Sequence, residues 1–85
     1  MASYRIEIKK SAVKELNAIP KKDLKKVVSK IRSLSDNPRP KGCVKLSGQE
    51  RYRIRRGNYR ILYSIEDDAL VVYVVKIAHR KDVYR

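Results

Sequence analysis

Five arginines lie within residues 51–63, and their side chains are the best suited to chemistry in this sequence. The segment reads RYRIRRGNYRILY, with apolar and polar residues alternating on both sides of Gly57 and Asn58. Such alternation around a glycine-containing pair predicts a β-hairpin. A guanidinium offers a planar fork of N–H donors that matches the oxygens of a phosphate group. The segment therefore favours a nucleic acid as the partner.

The alternation divides the predicted hairpin into two faces. One face carries arginines, among them Arg53, Arg55 and Arg60. The other face carries Tyr52, Ile54, Tyr59, Ile61, Tyr63 and Ile65. Because guanidinium groups are costly to bury in a dry core, we expect the tyrosine-bearing face to pack inward and the arginine-bearing face to contact phosphates.

The last residues of the chain could supply proton transfer. Cleavage of RNA without a metal needs a base for the 2′-hydroxyl proton, an acid for the 5′-oxygen and cations for the phosphate. Arginine suits the last role, but it stays protonated and is a poor base. The groups that could exchange a proton are His79, Lys81 and Tyr84. Neighbouring arginines would lower the pKa of Tyr84, although its ring could instead stack on a base, and His79 could be an ordinary surface residue.

The whole chain is strongly basic. Its 85 residues carry 22 Lys and Arg against nine Asp and Glu, a net charge of +13. Residues 1–42 hold nine Lys and three Arg, whereas residues 43–85 hold three Lys and seven Arg. This charge attracts polyanions, which include nucleic acids, anionic membrane surfaces and acidic proteins. Arginines concentrated on strands favour specific phosphate contacts among these partners.

Several other kinds of site are not indicated. Cys43 is the single cysteine, so neither an internal disulfide nor a thiolate metal cage can form. No zinc spacing, Walker loop or nucleophile elbow is present. The acidic run 66–68 falls in a predicted turn and is interpreted as solvated, whereas metal-dependent nucleases cluster several carboxylates. We expect neither a metal nor a cofactor.

The sequence indicates a soluble, cytoplasmic protein with no membrane partner. No apolar run approaches the roughly 20 residues of a transmembrane helix. The first residues, MASYRIEIKK, lack the long apolar region of a signal peptide.

The hydrophobic periodicity predicts the order β-α-α-β-β-β. A first strand over 3–9 precedes a helix that has Ser11 as its N-cap, and Pro20 ends that helix. A second helix over 21–35 has the apolar stripe Leu24, Val27, Val28, Ile31 and Leu34. A loop over 36–42 and a short extended segment over 43–46 lead into strands over 51–56, 58–66 and 70–78.

This order predicts an α+β fold in a single domain over residues 1–85. The two helices form a hairpin that packs on one face of a small, mostly antiparallel sheet. The Val-rich last strand is predicted to be central and buried on both faces.

The segment KLSGQERYRIRRGNYRILY (45–63) is similar to a pattern L-x-G … Y-R-I-R-x-G-x-Y-R-[IV]-x-Y, and HRKDVY (79–84) to an ending H-R-x-x-[VI]-Y. In this order and spacing, with the chain's size, charge and element order, they resemble the RelE/ParE superfamily of toxins from type II toxin–antitoxin systems. The resemblance covers essentially the whole chain. It implies the RelE branch, whose members cut messenger RNA in the ribosomal A site.

The resemblance also implies a set of site residues. By motif position, the catalytic residues are Arg53, Arg55, Arg60, Arg80 and Tyr84. Arg53 and Arg55 stand where the best-known member has lysines, and arginine does not readily exchange a proton. The general base is therefore expected to be Tyr84 or His79, with Lys81 a further candidate for proton transfer. Additional RNA contacts are expected from Arg51, Arg56 and Lys45.

The implied reaction is attack of the 2′-oxygen on the adjacent phosphate, without a metal ion. Arg60 and Arg80 would stabilise the charge on phosphorus, and Arg53 and Arg55 would bind flanking phosphates or assist the leaving group. The implied partners are messenger RNA on the ribosome and an acidic, partly disordered antitoxin, RelB-like, that forms a hetero-oligomer with the toxin.

Other functions remain open from the sequence alone. A ParE-like poison of DNA gyrase would be a protein-binding toxin, and it would hardly need Arg80 and Tyr84. A non-catalytic RNA-binding domain, or a degenerate toxin, would bind RNA in a salt-sensitive manner without cutting it. A membrane-surface role is the weakest alternative, because the basic second helix lacks aromatic anchors.

Overall fold

A computed structural model of the chain describes residues 3–46, 48 and 50–80. Two helices and five strands follow one another over these residues. Their bounds are β1 Arg5–Ile8, α1 Lys10–Asn17, α2 Lys21–Ser33, β2 Val44–Lys45, β3 Tyr52–Arg56, β4 Tyr59–Glu66 and β5 Val71–His79. The predicted α+β class is confirmed, and the predicted extended segment over 43–46 contributes the two-residue strand β2. Within the described residues, no helix is long and apolar enough to cross a membrane.

The strands form one sheet in the order β1-β5-β4-β3-β2. β1 pairs with β5 in parallel, and the other three pairings are antiparallel. β5 therefore has a neighbour on each side, as its run of valines predicts. Val71, Val72, Val74, Ile77 and Ala78 are all buried.

The helices cover one face of this sheet. α2 buries Val27 and Ile31, and Leu34 beyond its end is fully buried, while Leu24 and Val28 remain half-exposed at the margin of the predicted stripe. These side chains join Ile54, Ile61, Tyr63, Val72 and Val74 of the sheet in one core. Each buried aliphatic side chain contributes about 1.5–3 kcal/mol to folding. The predicted inward face of the hairpin is confirmed, because Tyr63 is fully buried and Tyr52 and Tyr59 pack against the core.

The predicted N-cap Ser11 is wrong, because α1 begins at Lys10 and its N-cap is Lys9, two residues before Ser11. The amide of Lys9 donates to the carbonyl of Val74, which continues the pairing of β1 with β5 up to the helix. The carbonyl of Lys9 then accepts the first helical bond, from the amide of Val13. The end of the strand pairing sets the start of the helix, and Ser11 lies in its first turn without acting as a cap.

β5 contains a β-bulge that α1 stabilises. Leu62 pairs with Lys76 and Tyr63 with Val74, so that Val75 has no partner on β4. β1 also ends opposite Val74, which leaves the far edge of β5 without a strand beyond that point. The carboxylate of Glu15 in α1 takes that place: Oε1 accepts from the amide of Ile77 at 3.0 Å, and Oε2 accepts from Lys76 Nζ at 2.8 Å.

The loop over 36–42 is attached to the sheet by polar contacts. Arg39 donates to both carboxylate oxygens of Asp67, at 3.2 and 2.9 Å, and its guanidinium lies 5.3 Å from the ring centre of Tyr52. Tyr4 donates a third bond to Asp67 at 2.7 Å. The turn over 66–68 is exposed, as predicted, and Asp67 also joins the loop to β1. The Arg39 guanidinium and the Tyr4 hydroxyl hold the pKa of the Asp67 carboxyl below its usual range.

The buried hydroxyl of Tyr63 holds the same loop from beneath. It donates to the carbonyl oxygen of Pro38 at 2.7 Å. Burial raises the pKa of Tyr63, and Cys43 beside it raises it further. A deprotonated Tyr63 could no longer donate this bond, so the native structure requires the neutral phenol.

Candidate nucleic-acid interface

Three arginines surround a cleft at the turn end of the β3–β4 hairpin. Arg55 comes from β3, Arg60 from β4 and Arg80 from the residue that follows β5. Gly57, Asn58 and Tyr59 complete the lining of this cavity, which has a volume of about 260 Å³. We call it the three-arginine cleft.

The strand register places these arginines on one face. Arg55 lies directly opposite Arg60, and Arg60 lies directly opposite Ala78 on β5. Directly opposed residues of antiparallel strands share a face, about 5 Å apart at their Cβ atoms. Arg80 follows Ala78 by two residues and so returns to the same face. The sheet thus brings Arg80 beside two arginines that precede it by 20 and 25 residues in the chain.

A tight turn makes this register possible. Arg56 pairs with Tyr59, which leaves only Gly57 and Asn58 in the loop. Gly57 has a φ of +61°, the left-handed conformation that a two-residue hairpin with glycine in the first position requires. A side chain at this position would be strained although no atom lies within 4 Å of its Cβ.

Asn58 joins the third arginine to the hairpin. Its backbone carbonyl accepts a hydrogen bond of 2.7 Å from the backbone amide of Arg80. This bond continues the pairing of β4 with β5 beyond the Tyr59–His79 pair. Sequence reasoning missed Asn58 as a site residue, because its contribution comes from the backbone. Its place in the predicted turn between two arginine-bearing strands is the signal that would have indicated it.

The cleft concentrates positive charge. Arg60 is only 8% exposed, whereas Arg55 and Arg80 are exposed. Among the described residues that line the cleft, none is acidic. Three like charges repel one another, and a bound anion relieves that repulsion. Because the attraction between charges strengthens where water is partly excluded, the buried position of Arg60 favours a phosphate over a diffuse counterion.

The other predicted basic residues among those described are not part of the lining of the cleft. Arg53 is half-buried on β3, on the same face as Arg55, and pairs with Leu62 and Val44. Arg56 is exposed and lies opposite Tyr59, on the other face of the hairpin. Arg51, the residue before β3, is exposed. Lys45 Nζ on β2 lies 3.7 Å from Oε2 of Glu50. Arg53 therefore extends the face of the cleft, and Arg51 and Lys45 lie toward the β2 edge of the sheet.

His79 lies on the opposite face of β5 from Arg80. It pairs with Tyr59, and the two rings meet edge to face at 5.1 Å between centres and 86° between planes. Both rings face the end of α1, where Glu15, Ala18 and Ile19 lie. The predicted site residues Lys81 and Tyr84 fall outside the described residues. Within the described part of the chain, no three His, Cys, Asp or Glu side chains are grouped so as to hold a metal ion.

Comparison with known families, curated proteins and solved structures finds toxin proteins in each case. Residues 6–84 match the family described as ParE toxin of type II toxin–antitoxin system. The protein named toxin RelE1 of Methanocaldococcus jannaschii is 33% identical, with 96% of each chain covered. Toxin RelG of Mycobacterium tuberculosis is also 33% identical, with 96% of this chain and 97% of RelG covered. In the archaeal RelE–RelB complex from Pyrococcus horikoshii, one chain superposes with a TM-score of 0.83 at 31% identity, over 92% of this chain and 96% of that one.

Proposed function

This chain belongs to the RelE/ParE superfamily of type II toxin–antitoxin toxins, in its RelE branch, and we propose that it is a ribosome-dependent endoribonuclease that cuts messenger RNA in the A site. The observation that carries the proposal is the three-arginine cleft. It brings Arg55, Arg60 and Arg80 around a space lined, among the described residues, by no acidic side chain. Such a site is built for a phosphate whose charge increases during reaction.

In the proposed reaction the 2′-oxygen of the RNA attacks the adjacent phosphorus. A bond forms between the 2′-oxygen and phosphorus, and the bond from phosphorus to the 5′-oxygen of the next nucleotide breaks. The products carry a 2′,3′-cyclic phosphate and a 5′-hydroxyl. Arg60 and Arg80 stabilise the extra negative charge in the transition state, which is the role that fixed cationic donors perform best.

The remaining arginines on this face hold the RNA. Arg55 is exposed across from Arg60, where it can bind a flanking phosphate or assist the leaving group. Arg53 lies two residues further along the same strand face, at a spacing that follows the sugar–phosphate backbone. Arg51 adds exposed positive charge before β3, and Arg56 and Lys45 add it from the other face of the sheet.

The proton steps fall to groups other than arginine. Tyr84 is the proposed base, since adjacent arginines would favour its phenolate and lower its pKa. His79 is the alternative, although it is not among the described residues that line the cleft, and Lys81 is a further candidate acid. A metal ion has no part in this proposal, because cationic side chains supply the charge that a metal would otherwise supply.

The proposed protein partner is an acidic antitoxin. The solved relatives from Pyrococcus horikoshii and Mycobacterium tuberculosis are toxin–antitoxin complexes. A net charge of +13 on this chain would attract an acidic, partly disordered segment that folds on binding. We propose that the toxin is held in the cytoplasm as such a complex until the antitoxin is removed.

The test uses ribosomes programmed with a defined messenger RNA and an empty A site. Primer extension should map a discrete cut in the A site codon, and Arg80→Ala should slow it by about a hundredfold or more, as loss of a transition-state donor does elsewhere. Arg32→Ala is the matched control, because it removes the same charge from the exposed surface of α2. An equal loss in both variants would mean that net charge, and not the cleft, drives the reaction.

A second candidate, a ParE-like poison of DNA gyrase, is favoured by the match to the ParE toxin family. It predicts inhibition of gyrase supercoiling and no cut in ribosome-bound RNA. Toxicity in cells would then survive both Arg80→Ala and Tyr84→Phe.

A further inference from the structure

A second cavity adjoins the three-arginine cleft on the helix side of the sheet. It lies between the end of α1 and the ends of β4 and β5, and its volume is about 240 Å³. Its lining residues are Glu15, Ala18, Ile19, Tyr59, Ile77 and His79. Tyr59 also lines the three-arginine cleft, so the two cavities share a wall.

The lining of this cavity has the chemistry that a nucleobase requires. Ala18, Ile19 and Ile77 provide an apolar surface, and Tyr59 and His79 provide two aromatic rings. The rings stand nearly perpendicular, so their planes point in different directions and a flat ligand can stack on one while it meets the edge of the other. Splayed bases of single-stranded RNA are bound by such aromatic side chains.

Glu15 gives the cavity one polar group with a fixed position. Its carboxylate accepts from the amide of Ile77 at 3.0 Å and from Lys76 Nζ at 2.8 Å, and its side chain is 30% exposed. A carboxylate has about four acceptor positions, so these two bonds leave capacity for an N–H donor from a ligand. Adenine, cytosine and guanine carry an exocyclic amino group that can donate. Uracil has no exocyclic amino group, and its single N–H donor on that edge lies between two carbonyl oxygens, which a carboxylate repels.

We propose that this cavity, the base pocket, binds the nucleobase next to the phosphate in the three-arginine cleft and prefers a base with an exocyclic amino group. The proposal rests on the proposed function and deepens it, because it gives the protein its own contribution to the choice of cleavage position. Tyr59, on the shared wall, places the base beside the phosphate.

The test measures binding to the full chain by NMR titration, with three probes. Two are dinucleotides, ApA and UpU, whose 2′-O-methyl groups block cleavage, and the third is ribose 5-phosphate, which has no base. ApA should bind about tenfold more tightly than UpU, the difference that one hydrogen bond to a charged group supplies. ApA should also shift the methyl signals of Ala18, Ile19 and Ile77, whereas ribose 5-phosphate should shift only residues of the three-arginine cleft.

Ala18 is the position for the test variant, because it is exposed at the end of α1 and outside the cleft. Ala18→Leu fills the base pocket and should weaken ApA by about tenfold to a hundredfold, the range of base stacking on an aromatic ring, without changing ribose 5-phosphate binding. Ala69→Leu is the matched control: it makes the same change in the exposed turn before β5, outside the described lining of both cavities, and should bind both probes as the wild type does.

Two results would overturn the base pocket: equal binding of ApA and UpU, or ApA binding that Ala18→Leu does not change. Failure of the proposed function looks different. In that case programmed ribosomes would show no cut in the messenger RNA, whatever Ala18→Leu does to the binding of ApA.

Discussion

The backbone amide of Arg80 donates a hydrogen bond of 2.7 Å to the backbone carbonyl of Asn58. This bond joins the residue after β5 to the turn between β3 and β4. It therefore holds the end of β5 against the hairpin. The side chain of Arg80 thereby takes its place beside Arg55 and Arg60. The geometry of the cleft consequently depends on the conformation of a two-residue turn.

Gly57→Val should therefore reduce both stability and RNA cleavage. Gly57 has a φ of +61°, which a β-branched residue adopts at a cost of about 1–2 kcal/mol. No atom lies within 4 Å of an added Cβ, so this cost is conformational and not a steric clash. Urea unfolding and the ribosome cleavage assay measure the two effects. Gly57→Asn is the control, because asparagine tolerates this conformation better than valine. It should lose less stability and less cleavage activity than Gly57→Val.

Arg60→Lys should lower the rate of cleavage by about a hundredfold while the fold remains intact. Lysine keeps the positive charge but loses the planar fork of donors, and Arg60 is 8% exposed, where geometry matters most. Single-turnover cleavage on programmed ribosomes is the measurement. Arg32→Lys on the exposed surface of α2 should leave the rate unchanged. A rate for Arg60→Lys close to that of the wild type would show that charge alone is sufficient.

Tyr63→Phe should destabilise the fold by about 1–3 kcal/mol, because it leaves the carbonyl of Pro38 without its buried donor. Burial raises the pKa of Tyr63, so the unfolded chain loses this proton more readily than the native protein. The corresponding stability is fully present below about pH 10, where the unfolded chain keeps this proton, and is lost as the pH rises from there through the raised pKa of native Tyr63. Urea unfolding at increasing pH should show a smaller alkaline loss in Tyr63→Phe than in the wild type.

Asp67→Asn should weaken the attachment of the 36–42 loop and change the response to acid. The Arg39 guanidinium, and then the Tyr4 hydroxyl, lower the pKa of the Asp67 carboxyl in the native state. The stability it confers is therefore present above about pH 4 and is lost as the pH falls through the lowered pKa. The melting temperature, measured as a function of pH, should fall less steeply on the acid side in Asp67→Asn than in the wild type. Asp68→Asn removes the same charge one residue away, and a matching change there would contradict the assignment to Asp67.

The sequence predicts the elements whose pattern is local. The alternation through Tyr52, Ile54, Ile61 and Tyr63 defines the hairpin and its inner face, and the Gly57-Asn58 pair defines its turn. The apolar stripe of α2 identifies the helix face that enters the core. In each case neighbouring residues determine the structure, so the pattern alone is sufficient.

The features that the sequence did not predict depend on contacts between distant segments. Glu15 binds the amide of Ile77, 62 residues away, only because β1 ends opposite Val74. The face of His79 follows from its pairing with Tyr59, since β5 continues one residue beyond the predicted strand. The burial of Arg60 also went against expectation, because hydrophobic patterning assigns arginine to the surface.

Replacement of the 2′-hydroxyl at the cleavage position shows whether the 2′-oxygen is the attacking group. Ribosomes would be programmed with two messenger RNAs that differ only in a 2′-deoxy nucleotide at the mapped cleavage position, and both would be incubated with the full chain. If the 2′-oxygen attacks, the all-ribose message is cut and carries a 2′,3′-cyclic phosphate, and the 2′-deoxy message is not cut at that position. An equal cut in both messages would contradict attack by the 2′-oxygen and the role assigned to the three-arginine cleft.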